Sequence, residues 1–139
     1  MALIDPLQLP RLPLAFMNED HQEEARRVNA VADAVDALEA GQVDRAKVVA
    51  ALEDLYAQTR AHFAREESAM VAASFPAQSF HQAEHIRTLS EVGEAQRKFA
   101  EGGTPAELRA FVRTLPAWLA RHIETMDTVT ARYLEEWGG

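Results

Sequence analysis

Seven residues of this sequence are of types that bind metal ions, and their spacings suit one metal site. They are His21, His62, Glu66, His81, His85, His122 and Asp127. Two pairs among them are four residues apart, and residues four apart lie on one face of an α-helix, about 6 Å from each other. His122 and Asp127 are five residues apart, an offset that still lets both reach one centre. A single such pair is usually a surface feature, but this set includes every histidine of the chain, so we interpret the seven residues as metal ligands.

The lengths of chain between these residues predict that all seven reach the same level of a helical bundle. About 20 residues lead from His21 to a turn near Gly41, and about 20 more lead to His62. His85 and His122 stand at similar distances on either side of a Gly-Gly turn. At about 1.5 Å per residue, each hairpin travels out about 25–30 Å and returns nearly as far. We therefore expect the ligands to meet near the end of the bundle where the second helix connects to the third.

Composition indicates a single globular domain without thiol chemistry. The chain has 139 residues, of which 47% are hydrophobic, enough for one core but not for two. It has no cysteine, which excludes disulfides and cysteine-ligated iron–sulfur clusters and makes a cytoplasmic location the expected one. The formal charge of −8 argues against nucleic acid as a partner. No stretch approaches the roughly 20 apolar residues of a membrane span, and nothing in the sequence indicates a protein partner.

Prolines and glycines divide the sequence into an N-terminal arm, residues 1–16, and a helical domain, residues 17–137. Prolines in the arm are expected to keep it extended, and Asn18 or Asp20 to cap the first helix. Apolar residues then recur at steps of three and four. Connections between helices are expected near Gly41, at 74–76 and at 102–103. Four helices with short connections predict an all-α fold, an antiparallel up-down-up-down four-helix bundle.

Pro116 lies inside the fourth predicted helix. A proline there removes one backbone hydrogen bond, so we expect a kink shortly before His122. The kink either aims His122 at the metal site or only bends a long helix around the core, and we favour the second interpretation.

Counting ligands identifies the kind of site. Imidazole and carboxylate donors suit iron, and five imidazoles are more than one ion normally takes from a protein. Two six-coordinate irons that share Glu66 and Asp127, with one oxo or hydroxo bridge between them, offer twelve positions. Five are filled by histidine, four by carboxylate oxygens and two by the bridge, so one position remains open for a small ligand.

Here the chain resembles the hemerythrin family in its bacterial single-domain form. Three segments carry the resemblance in addition to His21, and they read HFAREESAM, FPAQSFHQAEH and WLARHIETMD. The resemblance covers about residues 16–135. It implies a non-haem di-iron protein that reversibly binds dioxygen, as a carrier, a store or a means of delivery.

The resemblance also implies a role for each site residue. The saturated iron would take His81, His85 and His122, and the open iron would take His21 and His62. Glu66 and Asp127 would bridge them. An apolar ligand pocket would be formed by Phe63, Trp118, Leu119 and Ile123.

Glu24 departs from the family pattern, which usually has an apolar pocket residue three positions after the first histidine. At that offset Glu24 could face the open iron. Alternatively Ala25, at the fourth position, faces the site and Glu24 lies at the solvent edge. We favour the second placement.

Three other functions are open. The first is a di-iron enzyme or scavenger that acts on peroxide or nitric oxide, with Glu24 as a proton donor or extra ligand. The second is a dioxygen sensor, although sensors are usually fused to an output domain. The third, a metal-free interaction bundle, would leave buried imidazoles and carboxylates without partners. Ferritin-like di-iron oxidases fit less well, because they require Glu-x-x-His motifs and no glutamate stands three residues before any histidine.

Overall fold

The computed structural model describes residues 3–137, and over that range its regular secondary structure is entirely helical. The first three long helices are α1 (Ala15–Glu39), α2 (Arg45–Ala72) and α3 (Gln78–Ala100). A fourth helical segment consists of α4 (Pro105–Val112), α5 (Leu115–His122), a π-helical turn (Ile123–Asp127) and α6 (Thr128–Trp137). The predicted all-α four-helix bundle is confirmed. Within residues 3–137 no helix combines the length and the apolar character needed to cross a bilayer.

One apolar core runs along the bundle because each helix turns a stripe of apolar residues inward. Side chains from every helical segment are fully buried there, among them Val31, Leu52, Leu55, Phe99 and Val112. Each large aliphatic or aromatic side chain buried in this way contributes about 1.5–3 kcal/mol. Along the interface between α1 and α2, a later residue of α1 contacts an earlier residue of α2. Asp20 pairs with Arg65, and Glu24, further along α1, pairs with Thr59.

Helix ends coincide with the residues best suited to them. Gly41 and Gly102 have φ values of +74° and +108°, a left-handed conformation that costs glycine little and stops α1 and α3. Asp44 caps α2 by accepting a hydrogen bond from the Lys47 amide. Thr104 caps α4 in the same way, accepting from the Glu107 amide at 3.1 Å, with proline at the first helical position. These connections are the ones expected from the sequence.

The N-terminal cap of α1 was predicted wrongly. The helix begins at Ala15, preceded by Leu14, so Asn18 and Asp20 lie inside it. The Asn18 amide instead contacts the backbone of Leu12, accepting from its N–H and donating to its carbonyl, both at 2.8 Å. Asp20 accepts a hydrogen bond from Arg65 Nε at 2.9 Å. Both side chains serve tertiary contacts rather than the end of the helix.

Residues 3–14 lie along α1 and are held by two asparagines. The segment is not extended throughout, because Pro6–Gln8 forms one turn of 3-10 helix capped by Asp5. Asn29 accepts hydrogen bonds from the Leu3 and Ile4 amides and donates to the Ile4 carbonyl at 2.7 Å. Asn18 makes an equivalent pair of hydrogen bonds to the backbone of Leu12. Asn18 and Asn29 are eleven residues apart, which is about three helical turns, so both lie on the same face of α1.

Pro116 is accommodated by a break that lies earlier than expected. Between α4 and α5, Arg113 and Thr114 keep right-handed helical angles, but the Thr114 amide bonds to Phe111 in a 3-10 pattern. The Thr114 hydroxyl also donates to the Phe111 carbonyl at 2.6 Å. Pro116 then occupies the first turn of α5, where its missing N–H removes no bond. The interruption is thus two turns before His122 rather than adjacent to it.

Replacing Asn29 with alanine should loosen the N-terminal segment without unfolding the bundle. The Leu3 and Ile4 backbone groups lose their partners but can turn to water, so we expect a loss of about 1 kcal/mol. Hydrogen exchange should accelerate at Leu3 and Ile4 and remain unchanged at core amides of α2. Gln22→Ala, a change to another half-buried amide side chain of α1, is the control. Unchanged exchange at Leu3 and Ile4 in Asn29→Ala would contradict this account.

Candidate metal centre

The seven residues singled out from the sequence come together in the core as two adjoining groups. One group is Glu66, His81, His85, His122 and Asp127, and the other is His21, His62, Glu66 and Asp127. Within each group the candidate ligand atoms all lie within 4.8 Å of one another, and every member is buried. We call them the three-histidine group and the two-histidine group. Glu66 and Asp127 belong to both.

The two carboxylates divide their oxygens between the groups. Toward the two-histidine group, Glu66 Oε2 lies 2.7 Å from His62 Nε2 and Asp127 Oδ2 lies 2.8 Å from His21 Nε2. Toward the three-histidine group, Asp127 Oδ1 lies 3.0 Å from His81 Nε2 and 3.1 Å from His122 Nε2. Glu66 Oε1 lies 3.3 Å from His85 Nε2. Each carboxylate therefore presents one oxygen to each group, the arrangement of a bridging ligand.

A π-helical turn brings His122 and Asp127 to the same group. In a regular α-helix, residues five apart point about 140° away from each other. Here Ile123–Asp127 is wound as a π-helix, and the Thr128 amide bonds back to the Ile123 carbonyl, five residues earlier. The Thr128 hydroxyl donates to the same carbonyl at 2.7 Å. The wider turn brings the two side chains closer in direction, as π-turns at functional sites often do.

The unsatisfied polar atoms of the core support metal binding at this site. Among residues 3–137, the buried atoms that make no well-directed hydrogen bond, despite the short distances given above, include Glu66 Oε1, Asp127 Oδ1 and His85 Nε2. Leaving such atoms unpaired is costly, and all three point into the three-histidine group. An octahedral ion with bonds of about 2.1 Å sets neighbouring ligand atoms about 3 Å apart, close to the distances found here. The donor set of imidazole and carboxylate suits iron.

Charges within the cluster shift the ionisation of its members. Burial acts to lower the pKa of His62, but the carboxylates of Glu66 and Glu24 outweigh it and raise that pKa well above its ordinary value. The pKa of His21 is raised against burial by Asp127 and Glu66. Burial acts to raise the pKa values of Glu66 and Asp127, but the histidines lower both. The shifts favour protonated imidazoles beside ionised carboxylates, and a metal ion bound here would compete with those protons.

In three of the histidines, Nε2 faces the ligand group, and the other ring nitrogen, Nδ1, contacts a second polar side chain. His81 Nδ1 lies 2.9 Å from Thr130 Oγ1, and His85 Nδ1 lies 3.0 Å from Glu67 Oε2. His62 Nδ1 lies 3.3 Å from Glu24 Oε1. Such partners fix the ring orientation and the tautomer of a metal-binding histidine. Thr130 and Glu67 were not found from the sequence, because a threonine or a second glutamate on an amphipathic helix has no distinctive spacing.

Glu24 does not lie at the solvent edge, so the placement favoured from the sequence was wrong. Its side chain is buried at 6% exposure, and Ala25 beside it is buried completely. The Glu24 carboxylate contacts the Thr59 hydroxyl at 2.6 Å as well as His62. Packing of α1 against α2 places both offsets from His21 inside the bundle. Glu24 contacts the outer nitrogen of His62 and is a member of neither ligand group.

Aromatic rings cover the three-histidine group. Phe63 stacks on His85 with ring centres 3.7 Å apart, and Trp118 stacks on His122 at 4.8 Å. Leu119 and Ile123 are fully buried, and Leu119 lines a cavity of about 10 Å³ together with Glu24 and Trp118. Of the four residues expected to form the pocket, Phe63 and Trp118 thus contact histidines of the site, while Leu119 and Ile123 belong to the buried core.

Comparison with known proteins places this arrangement in a family. The family model described as the hemerythrin HHE cation binding domain matches residues 12–134, which include all seven residues of the two groups. This chain belongs to the hemerythrin family. A bacteriohemerythrin of Ralstonia nicotianae is 35% identical over 124 residues, covering 89% of this chain and 83% of that protein. A bacteriohemerythrin of Aquifex aeolicus is 27% identical over 133 residues, covering 95% and 98%.

The family's cation-binding description agrees with the buried histidine and carboxylate cluster found here. The resemblance noted in the sequence is confirmed, and the chain carries a metal-binding site of the di-iron type. Both named relatives are matched over more than four-fifths of their length, so the shared region is the whole bundle rather than a fragment of it.

Loading with ferrous iron under anaerobic conditions should stabilise this hemerythrin-family bundle strongly. A ligand present at about a thousandfold over its Kd adds about 4 kcal/mol, which for a chain of this size raises Tm by about 10 °C. Differential scanning calorimetry of the metal-stripped and reloaded protein measures the change. Magnesium, which prefers oxygen ligands, is the control and should leave Tm unchanged. Equal melting of the stripped and iron-loaded protein would contradict a metal site in the core.

Proposed function

We propose that this chain holds two iron ions, bridged by an oxo or hydroxo group, and that it reversibly binds dioxygen at one of them. The observation that carries the proposal is the division of the Glu66 and Asp127 oxygens between two adjoining groups of histidines. One carboxylate between two sets of ligands could be an accident of packing. Two carboxylates, from α2 and from the π-helical turn, that both divide in this way support a pair of metal ions.

The proposed ligand sets follow the two groups. His81, His85 and His122 would hold one iron, and His21 and His62 the other. The second set has one histidine fewer, so the open coordination position is assigned to it. A pair of ferrous ions held by these residues would supply two electrons and one vacant position to a small oxidant such as dioxygen.

The residues around the groups favour a binding protein over an oxidising enzyme. Phe63 and Trp118 stack on histidine rings of the three-histidine group, and Phe63 also lies 5.1 Å from the His62 ring of the two-histidine group. Leu119 lines the cavity beside Glu24, and this apolar surface limits the access of water. A dry pocket with few proton donors slows the release of reduced oxygen species, which is what reversible binding requires. Dioxygen is accordingly the proposed partner, in storage, transport or delivery.

A second candidate is an enzyme or scavenger that acts on peroxide or nitric oxide. The buried position of Glu24 favours it, because this carboxylate lines the small cavity that Leu119 and Trp118 also line. A carboxyl group there is a source of charge and of hydrogen bonds in an otherwise apolar region.

Spectroscopy of the anaerobically reduced protein separates the two candidates. The reduced form should contain about two irons per chain and be nearly colourless, because ferrous ions with these ligands absorb weakly. Admitting air should produce a visible charge-transfer band, and removing the oxygen under argon should abolish it over repeated cycles. Immediate, irreversible oxidation combined with turnover of added peroxide would instead favour the enzyme.

Removing either shared carboxylate should cost both irons. Because Glu66 presents one oxygen to each group, Glu66→Ala is expected to bind well under one tightly held iron per chain, and Asp127→Ala likewise. Iron analysis after gel filtration measures the loss, and far-UV circular dichroism checks that the helices remain. Glu53→Ala is the matched control, since Glu53 is an exposed glutamate of the same helix that belongs to neither group, and this variant should keep about two irons. One full equivalent of iron in Glu66→Ala would exclude the bridging role.

A further inference from the structure

Glu24 is a buried carboxylate that the ligand sets do not use. It lies on α1, one turn after His21, and its side chain is enclosed between α1 and α2 at 6% exposure. Its two oxygens have separate partners. Oε2 accepts a hydrogen bond from the Thr59 hydroxyl at 2.6 Å, and Oε1 lies 3.3 Å from His62 Nδ1. A carboxylate held in this way has a fixed position and little contact with water.

The contact with Glu24 sets which nitrogen of His62 carries the proton. His62 Nε2 points at Glu66 Oε2, 2.7 Å away, and is the nitrogen available to a metal ion. When Nε2 binds a metal, the remaining ring proton must be on Nδ1, and the Glu24 carboxylate accepts a hydrogen bond from that N–H group. A carboxylate that accepts from a ligating imidazole makes the imidazole a stronger electron donor.

Within each ligand group, one histidine is backed by a carboxylate. In the two-histidine group it is His62, because His21 Nδ1 has no hydrogen-bond partner among residues 3–137. In the three-histidine group it is His85, backed by Glu67. The two carboxylates differ in their surroundings, since the Glu67 side chain is 25% exposed and that of Glu24 is 6% exposed. Water screens the charge of Glu67 far more than that of Glu24.

We propose that Glu24 is a positioning residue that acts through His62 to lower the reduction potential of the metal held by the two-histidine group. This inference rests on the proposed di-iron function. The buried negative charge and the stronger imidazole donor both stabilise the higher oxidation state of that metal. The group concerned is the one assigned the open position, so Glu24 also weakens the attraction of that position for anions. Its counterpart Glu67 contacts a histidine of the three-histidine group, which is not assigned an open position, and the Glu67 side chain is more exposed to water.

The proposal is tested by comparing Glu24→Gln with Glu67→Gln in the iron-loaded full chain. Glutamine has the size of glutamate and keeps an oxygen that can accept from Nδ1–H, but it removes the charge. Glu24→Gln should keep two irons and the wild-type melting temperature, raise the midpoint potential in a redox titration, and bind azide severalfold more tightly in the oxidised form. Glu67→Gln should shift the potential less and leave the azide Kd unchanged, because its histidine serves the closed position.

Glu24→Leu provides a second arm, because it removes both the charge and the hydrogen-bond acceptor. Its potential should rise at least as far as that of Glu24→Gln, and chelators should strip its iron about tenfold faster than from wild type. Loss of iron from Glu24→Gln would overturn the proposal in favour of a structural role. So would a potential and azide affinity equal to those of wild type, or the same shifts in Glu67→Gln.

The controls separate failure of this inference from failure of the proposed function. A wild-type protein that binds two irons and shows reversible dioxygen spectra, with unchanged potentials in the Glu24 variants, would overturn the role of Glu24 alone. A wild-type protein that takes up no iron would overturn the proposed function, and the role of Glu24 with it.

Discussion

Two carboxylates are buried side by side in the core of this bundle, and much of its architecture follows from the need to balance their charge. Burying an ionised carboxylate costs several kcal/mol unless positive charge and hydrogen-bond donors surround it. The groups nearest to the Glu66 and Asp127 oxygens are imidazoles, since a ring nitrogen of each of the five histidines lies 2.7–3.3 Å from one of those oxygens. The imidazoles come from α1, α2, α3 and α5, so all four helical segments of the bundle help to balance the charge of the carboxylates. Because the helices must pack together to assemble these ligands, metal binding there would add to the free energy of unfolding of the bundle.

Helix irregularities concentrate in the fourth segment for the same reason. That segment must deliver both His122 and Asp127 to one group, although five residues separate them. The π-helical turn contains more residues than a regular α-helical turn, which brings the two side chains closer in direction. The Thr128 hydroxyl donates a hydrogen bond to the Ile123 carbonyl and so stabilises the irregular turn. Pro116 lies before this region and occupies a first-turn position, so it leaves the turns that carry the ligands intact. The local cost of irregular winding is balanced by the contacts that Asp127 makes.

The sequence predicted what periodicity and chain length determine, and missed what depends on helix rotation. The four helical segments and the meeting of seven residues follow from apolar repeats and from matched hairpin lengths. The position of Glu24 does not, because residues three and four after His21 lie at about −60° and +40° from its direction. Both offsets can be buried, and in the structure Glu24 and Ala25 both are. Asn18 was assigned to a helix end for a similar reason, since its propensity for caps cannot reveal a tertiary partner at Leu12.

The surroundings of the site set two effects against each other. Phe63 and Trp118 stack on histidine rings and make the region dry, which lowers the local dielectric constant and favours a long-lived complex with a small ligand. The same dryness strengthens every charge that is left inside, and Glu24 is such a charge. An apolar residue in its place would leave the metal of the two-histidine group easier to keep reduced. In the di-iron protein proposed above, the apolar residues that shield a bound ligand also strengthen the charge of Glu24, which favours oxidation. The hydrogen bond from His62 to Glu24 would then set the balance between reversible binding and oxidation.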